Sequence, residues 1–225
     1  MDDPFDYFTS FKPVNTAERV YAELKRMLFA YQIVPGQKLQ YQDLAERFKV
    51  SRTPVKDALN MLEKEGYIAL RHNKGYYVAE IGLREAEELY EIREALEVLA
   101  VQKAIEHLDR ATLKILKEGM EAYAADVRKP LSRKRLILDA IFHLKIAEMA
   151  QNKALVEIIR MVFSKIYLKH KVETLSVERG READLEHREL FHAIQARKLA
   201  LAVAIVRKHI ASSKRNVLGD LLEES

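Results

Sequence analysis

The sequence predicts a mainly α-helical protein, with a small N-terminal domain that ends in a β-hairpin and a larger domain made only of helices. Two observations carry this prediction. Helix-spaced apolar positions are followed by two short β-prone runs before residue 80, and no strand-like alternation occurs from Leu83 onward. With 225 residues, 48% of them hydrophobic and only 7 glycines and 5 prolines, the chain suits two helix-rich domains.

The N-terminal domain begins with two predicted helices. Asn15-Thr16-Ala17-Glu18 resembles a capping box, and a helix is expected from there to about Tyr31. Pro35-Gly36 then turns the chain, and Tyr41–Phe48 predicts a short second helix. Lys49-Val50 is the expected turn into a third helix.

The third helix is expected to begin at Arg52. Ser51 is a good N-cap whose hydroxyl can bond a first-turn amide, and Pro54 lies early enough to cost no backbone hydrogen bond. An apolar stripe at helical spacing predicts the buried face: Val55, Ala58, Leu59, Met61 and Leu62. The opposite face is expected to project four polar side chains that can contact DNA: Arg52, Thr53, Lys56 and Asn60.

A β-hairpin follows the third helix. Gly66 is expected to end that helix in the left-handed conformation. Tyr67–Leu70 and Tyr76–Ala79 predict two strands around the basic turn His72–Gly75. Helix, turn, helix and hairpin together predict a winged helix-turn-helix domain over residues 13–80.

Several short motifs of this domain resemble the GntR-type bacterial transcriptional regulators. Pro35-Gly36, Leu44-Ala45, Ser51–Val55 and Glu65-Gly66 stand in the order typical of that family. The chain after residue 81 resembles the all-helical FCD effector domain of the FadR-type branch, including Leu89–Glu97 at its start. The resemblance implies a homodimer that binds an inverted-repeat operator in double-stranded DNA and responds to a small effector.

The resemblance also implies which residues contact DNA. Arg52 would contact a base edge, with guanine the favoured base, and Arg47 would contact phosphate. Lys56 stands where arginine is commoner in the family and lacks its bidentate fork, so a base or a phosphate contact is open. Gln40 stands where an N-capping serine is common. The wing turn would approach the minor groove. The predicted DNA-binding residues are Arg47, Ser51, Arg52, Thr53, Lys56, His72, Asn73, Lys74 and Gly75.

Charge and composition are consistent with this interpretation. The net charge is +4, and residues 13–80 hold 11 basic and 8 acidic side chains, so +3 of the excess falls on the smaller domain. The chain has no cysteine, which suits a reducing, cytoplasmic compartment. No apolar run approaches the roughly 20 residues that span a bilayer. Residues 1–12 are acidic and aromatic and predict a flexible arm, disordered or loosely docked, and not a signal peptide.

Residues 81–225 predict a helical bundle that binds the effector and forms the dimer. The linker is expected between Glu80 and Leu83, where the strand pattern ends. Breaks in the helical pattern predict six or seven helices. They lie near Asp109, Lys129-Pro130, Gln151-Asn152, Val177–Arg181 and Arg197-Lys198.

Four residues of this domain predict a metal site. Asp139 and His143 are four apart on one helix, so their side chains point the same way. His187 and His209 each lie about eleven residues from the Arg197-Lys198 turn, which places them level across an antiparallel helix pair. One carboxylate and three imidazoles suit a divalent ion such as Zn, Ni, Co or Mn. The resemblance implies the same four ligands. Taken singly, each histidine could equally be a packed or solvated side chain. The other four histidines, His72, His107, His170 and His192, lack such partners.

Arg93 has two alternative interpretations. It lies near the apolar stripe of the first long helix, and a buried arginine needs an anion. It could clamp the carboxylate of a small effector beside the metal, or form an internal ion pair with one of the nearby glutamates. The run Glu85–Glu97 is otherwise interpreted as a solvated face.

The leading function is therefore a ligand-responsive DNA-binding repressor or activator, with a metal-assisted site for a small-molecule carboxylate. A metal-dependent hydrolase or lyase is the competing class, because an ion with open coordination can activate water. No metalloprotease pair, nucleophile elbow or phosphate loop accompanies the four ligands. A third possibility is a regulator in which the ion is purely structural.

Overall fold

The computed structural model describes residues 4–9, 12–129, 133–169 and 177–223, and it confirms a mainly helical chain with one small sheet. The chain divides into two compact units. Unit 1 comprises Met1–Ile81 with Tyr167–Lys171, and unit 2 comprises Gly82–Ile166 with Val172–Ser225. Within the described ranges, none of the helices combines the length and the apolar character that crossing a membrane requires.

The N-terminal arm of unit 1 carries a short helix, α1 (Asp6–Thr9). Phe8 is buried there, and its ring stacks on that of Phe29 with the centroids 5.1 Å apart. Residues 1–12 were expected to form a disordered or loosely docked arm, and removing the Phe8 ring from water favours docking at this position. Residues 1–3 and 10–11 lie outside the described residues.

The first long helix, α2 (Thr16–Phe29), is capped in a slightly different way from the prediction. The Asn15 side chain accepts a hydrogen bond from the Glu18 amide at 2.9 Å, as in a capping box. The Glu18 carboxylate accepts from the Val14 amide at 2.8 Å, one residue before the expected partner. The helix ends before Tyr31, which adopts a positive φ of 56°.

The helix-turn-helix consists of α3 (Tyr41–Phe48) and α4 (Arg52–Lys64), and both begin at the predicted residues. The prediction that the Ser51 hydroxyl caps α4 is wrong, because that side chain makes no capping hydrogen bond. An N-cap side chain bonds the amide of the second or third helical residue, and the third is Pro54, which has no N–H.

The core of unit 1 forms where α4 packs against α2. The predicted stripe of α4 is confirmed at Val55, Ala58, Leu59 and Leu62, which are all fully buried, whereas Met61, which was expected to flank the stripe, is half-buried. On α2, Val20, Leu24 and Leu28 are buried in the same way. This packing fixes which face of α4 remains exposed to solvent.

The wing is a three-stranded antiparallel sheet in the order β1-β3-β2. Strands β2 (Ile68–Arg71) and β3 (Gly75–Val78) form the predicted hairpin, one residue away from the expected bounds. The two-residue strand β1 (Lys38–Leu39) adds to the free edge of β3 and is too short to leave a sequence pattern. Gly66 has the predicted positive φ of 77°, which ends α4.

Unit 2 contains six helices within the described ranges. They are α5 (Leu83–Glu106), α6 (Arg110–Val127), α7 (Arg133–Met149), α8 (Lys153–Lys169), α9 (Val177–Gln195) and α10 (Leu199–Glu223), and only the last three residues of α8 are assigned to unit 1. Helix α7 packs against α5 and α6, and α10 packs against α5 and α9. Asp139, His143 and Arg135 are buried along α7 together with its apolar residues, so nearly every side of this central helix is covered.

Helix α9 runs through the segment Val177–Arg181, where the sequence suggested a break. Gly180 in that segment does not interrupt the helix, and its missing side chain lets α9 lie close to Arg135. A Cβ atom at Gly180 would lie 3.1 Å from the Arg135 Nη1 atom, and the backbone oxygen of Gly180 accepts from the Tyr123 hydroxyl at 3.3 Å.

Candidate metal centre and DNA-binding surface

Three helices of unit 2 bring the four predicted metal ligands together. Helix α7 supplies Asp139 and His143, α9 supplies His187, and α10 supplies His209. All four side chains are buried, and one candidate ligand atom from each lies within 4.8 Å of the others. The cluster could therefore hold a metal ion.

The α9–α10 hairpin places its two histidines level with each other. The helices are joined by the short turn around Arg197, which adopts a positive φ of 53°. The ring centroids of His187 and His209 are 4.9 Å apart. The spacing on either side of the turn thus produces the contact that the sequence suggested.

Two carboxylates determine which ring nitrogens carry protons. The Nδ1 atom of His209 lies 2.9 Å from Glu186 Oε2, and the Nδ1 atom of His143 contacts Glu97 Oε2. An ionised carboxylate only accepts hydrogen bonds, so each Nδ1 atom that bonds one carries the proton. The Arg179 Nη2 atom also lies 3.2 Å from His209 Nδ1, but its shorter contact, at 2.7 Å, is the hydrogen bond that it donates to Glu186 Oε2. Each Nε2 atom is then left with a lone pair.

The two Nε2 lone pairs face each other across a short distance. His143 Nε2 and His209 Nε2 are 3.1 Å apart, and Asp139 Oδ1 lies 3.2 Å from His187 Nε2 and 3.7 Å from His209 Nε2. Acceptors this close repel unless a proton or a metal cation lies between them. Two nitrogens held about 2.1 Å from one ion would be about 3.0 to 3.4 Å apart. The chemistry of all four donors therefore suits a divalent ion, and the spacing of the His143 and His209 nitrogens fits one directly.

Burial and neighbouring charges lower the pKa of the Glu97 and Glu186 carboxyl groups and that of the His209 imidazole. Burial alone raises the pKa of Glu97, but His143 and Arg93 outweigh it and lower that pKa to about 2. The pKa of Glu186 also falls to about 2, because bonds from His209 and Arg179 outweigh burial. Burial lowers the pKa of His209 to about 3 despite its bond to Glu186. Neutral imidazole is the form that binds a metal ion.

Aromatic side chains line the cluster. The Tyr123 ring lies 4.6 Å from that of His187 in a T-shaped arrangement, and the Phe142 ring lies 4.3 Å from it. The Phe163 ring is 5.8 Å from that of His143. These rings limit access of water and so strengthen the electrostatic interactions inside the cluster.

Arg93 lies beside the cluster and is 1% exposed. Its Nε atom donates to Glu97 Oε1 at 2.6 Å, its Nη2 atom is 3.8 Å from Asp139 Oδ2, and its guanidinium lies over the Phe163 ring at 4.4 Å. Of the two interpretations of Arg93, the structure thus contains the internal ion pair. A contact to an effector carboxylate stays a prediction.

Sequence reasoning missed three residues around the cluster. Glu97 was interpreted as part of a solvated face, but it is 3% exposed, and Glu186 and Arg179 were not singled out. Arg179 donates to Glu186 Oε2 at 2.7 Å. One signal for Glu97 was available, because it lies four residues after Arg93 and therefore on the same helix face.

The predicted DNA-contacting side chains of unit 1 lie mainly on its surface. Ser51, Arg52, Thr53 and Lys56 are exposed at the start of α4. The Arg52 Nη2 atom donates to Gln42 Oε1 at 3.2 Å, which orients the guanidinium along α3. Arg47 is also exposed, and it donates to Gln32 Oε1 at 3.4 Å. In the wing turn, His72, Asn73 and Lys74 are exposed and Gly75 is half-buried.

Asn60 differs from the other polar residues of α4. It was expected to project outward with Arg52, but it is half-buried and accepts a hydrogen bond from the Tyr76 hydroxyl at 2.6 Å. The bond joins the end of α4 to strand β3. Asn60 therefore holds the wing in place within unit 1, since its side-chain oxygen is directed to the sheet.

The remaining histidines do not form a second cluster among the described residues. His107 contacts the Lys103 carbonyl oxygen at 3.0 Å, and His192 lies on the exposed side of α9. His72 belongs to the wing turn. His170 lies outside the described residues.

Known proteins match both halves of the chain. Residues 16–78 match the family described as "Bacterial regulatory proteins, gntR family", and residues 88–212 match the "FCD domain". The HTH-type transcriptional regulator YdhC of Bacillus subtilis (strain 168) is 26% identical over 93% of this chain and 90% of its own length. The Nta operon transcriptional regulator of Aminobacter aminovorans is 28% identical over 82% of this chain and 86% of its own.

A solved structure shows the same fold. The structure of E. coli McbR/YncC matches with a TM-score of 0.77 and 24% sequence identity, over 94% of this chain and 99% of that chain. The arrangement of a winged domain and a helical domain is thus shared with that protein.

Proposed function

Because this chain belongs to the gntR family of bacterial regulatory proteins and carries an FCD domain, and is therefore a DNA-binding transcriptional regulator and not an enzyme, we propose that it senses a small carboxylate with the help of a metal ion. In this proposal it represses transcription in the cytoplasm as a homodimer bound to an inverted-repeat operator. The enzyme alternative is not retained.

One observation carries the sensing part of the proposal. The Nε2 atoms of His143 and His209 lie 3.1 Å apart with both adjacent Nδ1 atoms turned to carboxylates. This geometry is unfavourable without a cation, and Asp139 and His187 complete a set of one oxygen and three nitrogen donors. Such a set suits Zn, Ni, Co or Mn. When bound, the ion would supply the positive charge that attracts a carboxylate group.

The DNA side of the proposal rests on the exposed start of α4. Packing against α2 buries one face of α4 and leaves Arg52, Thr53 and Lys56 on the other, where they can enter a major groove. The Ser51 hydroxyl makes no capping bond and can contact a phosphate. Arg47 would add a phosphate contact, and the turn His72–Gly75 would approach the minor groove.

The effector must bind one state of the dimer better than the other, because a ligand with equal affinity for both states changes no DNA affinity. Arg93 is held by Glu97 and lies close to Asp139, so an effector carboxylate near the ion would also lie near its charge. Arg93 therefore stays the proposed effector-binding residue.

The test is metal analysis of the purified protein, followed by a thermal-shift screen of small carboxylic acids with and without a chelator. We expect a divalent ion at about one per chain, and acids that stabilise only the metal-loaded protein. Equal stabilisation after metal removal would show that the carboxylate binds elsewhere.

A structural role for the ion is the second candidate. A structural role is favoured because the four ligating residues lie on three different helices, α7, α9 and α10, which a bound ion would join. A structural ion predicts that chelation lowers thermal stability while operator binding shows no effector response in either form. A sensing ion predicts that chelation abolishes an existing response.

A further inference from the structure

Two carboxylates outside the ligand set are arranged alike around the cluster. Glu97 on α5 accepts from Arg93 at 2.6 Å and contacts His143 Nδ1. Glu186 on α9 accepts from Arg179 at 2.7 Å and from His209 Nδ1 at 2.9 Å. We propose that Glu97 and Glu186 are positioning residues, which preset two of the imidazoles for binding a divalent ion. This inference rests on the metal site of the proposed function.

Each glutamate can fix both the tautomer and the rotation of its histidine. A carboxylate at Nδ1 keeps the proton there and leaves the Nε2 lone pair directed into the cluster. It also makes the ring a stronger donor to a metal ion. Neither glutamate replaces a ligand, because each contacts the Nδ1 side of a ring whose Nε2 atom faces the cluster.

The two arginines hold the glutamates in these positions. Arg93 engages Glu97 Oε1, which leaves Oε2 for His143. Arg179 donates from one Nη2 atom to Glu186 and to Ser213 Oγ on α10 at 3.2 Å. Each glutamate is thus bonded from two sides, and its carboxylate cannot turn away without losing a charged hydrogen bond.

The arginines also set the charge of the cluster. The site has one net negative charge when the imidazoles are neutral. This charge is the sum of three carboxylates and two guanidinium groups, which belong to Asp139, Glu97, Glu186, Arg93 and Arg179. A divalent ion changes this to one net positive charge. That charge is balanced by a single carboxylate group, which agrees with a monoanionic effector.

The experiment measures binding of Co²⁺ to the full-length metal-free protein and to two variants, Glu97→Gln and Glu186→Gln. Each variant should lose about 10- to 100-fold in Co²⁺ affinity, the range typical of residues behind metal ligands. The visible absorption of bound Co²⁺ should also shift, because the ligand field depends on the hydrogen bond behind each imidazole. A purely structural role would move the melting temperature of the metal-free protein and leave this spectrum unchanged.

Matched controls are available on the same helices. Glu182 is paired with the same Arg179 at 3.4 Å, but its side chain is 65% exposed, and none of the cluster imidazoles is among its hydrogen-bond or ion-pair partners. Glu94 on α5 pairs with Arg207 at 3.4 Å on the surface. Glu182→Gln and Glu94→Gln should therefore keep the wild-type Co²⁺ affinity within about 2-fold, as expected for exposed pairs.

The outcomes separate this inference from the proposed function. Wild-type affinity and spectrum in both buried variants would overturn the inference while the metal site stands. A wild-type protein that binds no Co²⁺ would overturn both. If Glu97→Gln fails to fold because Arg93 loses its buried partner, Glu186→Gln decides, since Arg179 also contacts Ser213 and the His209 carbonyl oxygen.

Discussion

The two units carry their candidate chemistry in opposite ways. In unit 1, the residues that would contact DNA are mainly exposed and lie within the short stretch Arg47–Gly75. In unit 2, the cluster is buried and comes from three helices, and with Arg93 and Glu97 of α5 beside it the site draws on four helices, between Arg93 and His209. An exposed side chain contributes little to folding, whereas a buried charged side chain supports both folding and binding. Substitutions of these exposed side chains in unit 1 should therefore change DNA affinity alone. Substitutions around the buried cluster should change the stability of the protein and its metal binding together.

The largest expected effect is metal-dependent stability. An ion that binds only the folded protein raises the free energy of unfolding by about 2.7 kcal/mol at 100 times its dissociation constant and by about 4.1 kcal/mol at 1,000 times. Adding Zn²⁺ to the chelator-treated protein should therefore raise the unfolding midpoint in a concentration-dependent way. Chemical unfolding at several Zn²⁺ concentrations measures the effect.

The control for this prediction compares a substitution of one metal-ligating histidine with a substitution of one surface histidine. His209→Ala should abolish the dependence on Zn²⁺, and His192→Ala on the exposed side of α9 should preserve it. The comparison between the units breaks down if Zn²⁺ stabilises His209→Ala to the same extent as the unsubstituted protein.

DNA affinity tests the prediction that exposed side chains of unit 1 affect binding and not stability. Arg52→Ala should weaken specific operator binding by about 1 to 3 kcal/mol and relax one operator position, with little change in stability, because the side chain is exposed. Arg19→Ala, on the exposed side of α2 in the same unit, is the matched control and should leave binding nearly unchanged. Binding assays on the operator and its single-base variants provide the measurement.

Lys56 allows a sharper distinction between a base contact and a phosphate contact. Lys56→Ala should weaken binding to all sequences alike and reduce the dependence of log affinity on log salt by about 1 if the lysine contacts phosphate. A loss confined to one operator position, with the salt dependence unchanged, would instead assign a base contact.

The pH dependence of stability should come from unit 2. The pKa of His209 falls from its ordinary 6.5 to about 3 on burial, so below pH 6.5 the unfolded chain binds a proton that the folded chain does not. The free energy of unfolding of the metal-free protein should therefore fall as the pH falls below 6.5, by at most about 1.4 kcal/mol per pH unit from this group. Glu186, whose pKa falls from 4.5 to about 2, adds a loss of the same sign below pH 4.5.

Urea unfolding at pH 7.5, 6.5 and 5.5 in the presence of a chelator measures this slope. His209→Gln removes this titrating group and should reduce the slope between pH 6.5 and 5.5, while His192→Gln should keep it. The slope that remains in His209→Gln comes from His187, because burial lowers the pKa of that imidazole too. Stability that increases towards pH 5.5 would contradict the assignment of a neutral buried imidazole.

The sequence predicted more of the fold than of the network around the cluster, for physical reasons. Helix starts such as Arg52 follow from apolar periodicity and from the position of Pro54 in the first turn, and the level placement of His187 and His209 follows from the helical rise on each side of one turn. Glu97 could not be recognised in this way, because it lies in a charged run whose burial depends on α7 packing against α5. Strand β1 forms only because β3 offers a free edge.

The smallest expected effect compares one helix cap from each unit. Asp109 caps α6 with a real bond, in which its Oδ1 atom accepts from the Thr112 amide at 2.7 Å, whereas Ser51 makes no such bond at α4. Asp109→Ala should therefore cost about 0.5 to 2 kcal/mol of stability, and Ser51→Ala should cost less than about 0.5 kcal/mol. Urea unfolding of the two variants measures the difference. If Ser51→Ala nevertheless weakens operator binding, the Ser51 hydroxyl contacts DNA and does not cap the helix. A loss of stability equal to that of Asp109→Ala would instead show that Ser51 caps α4.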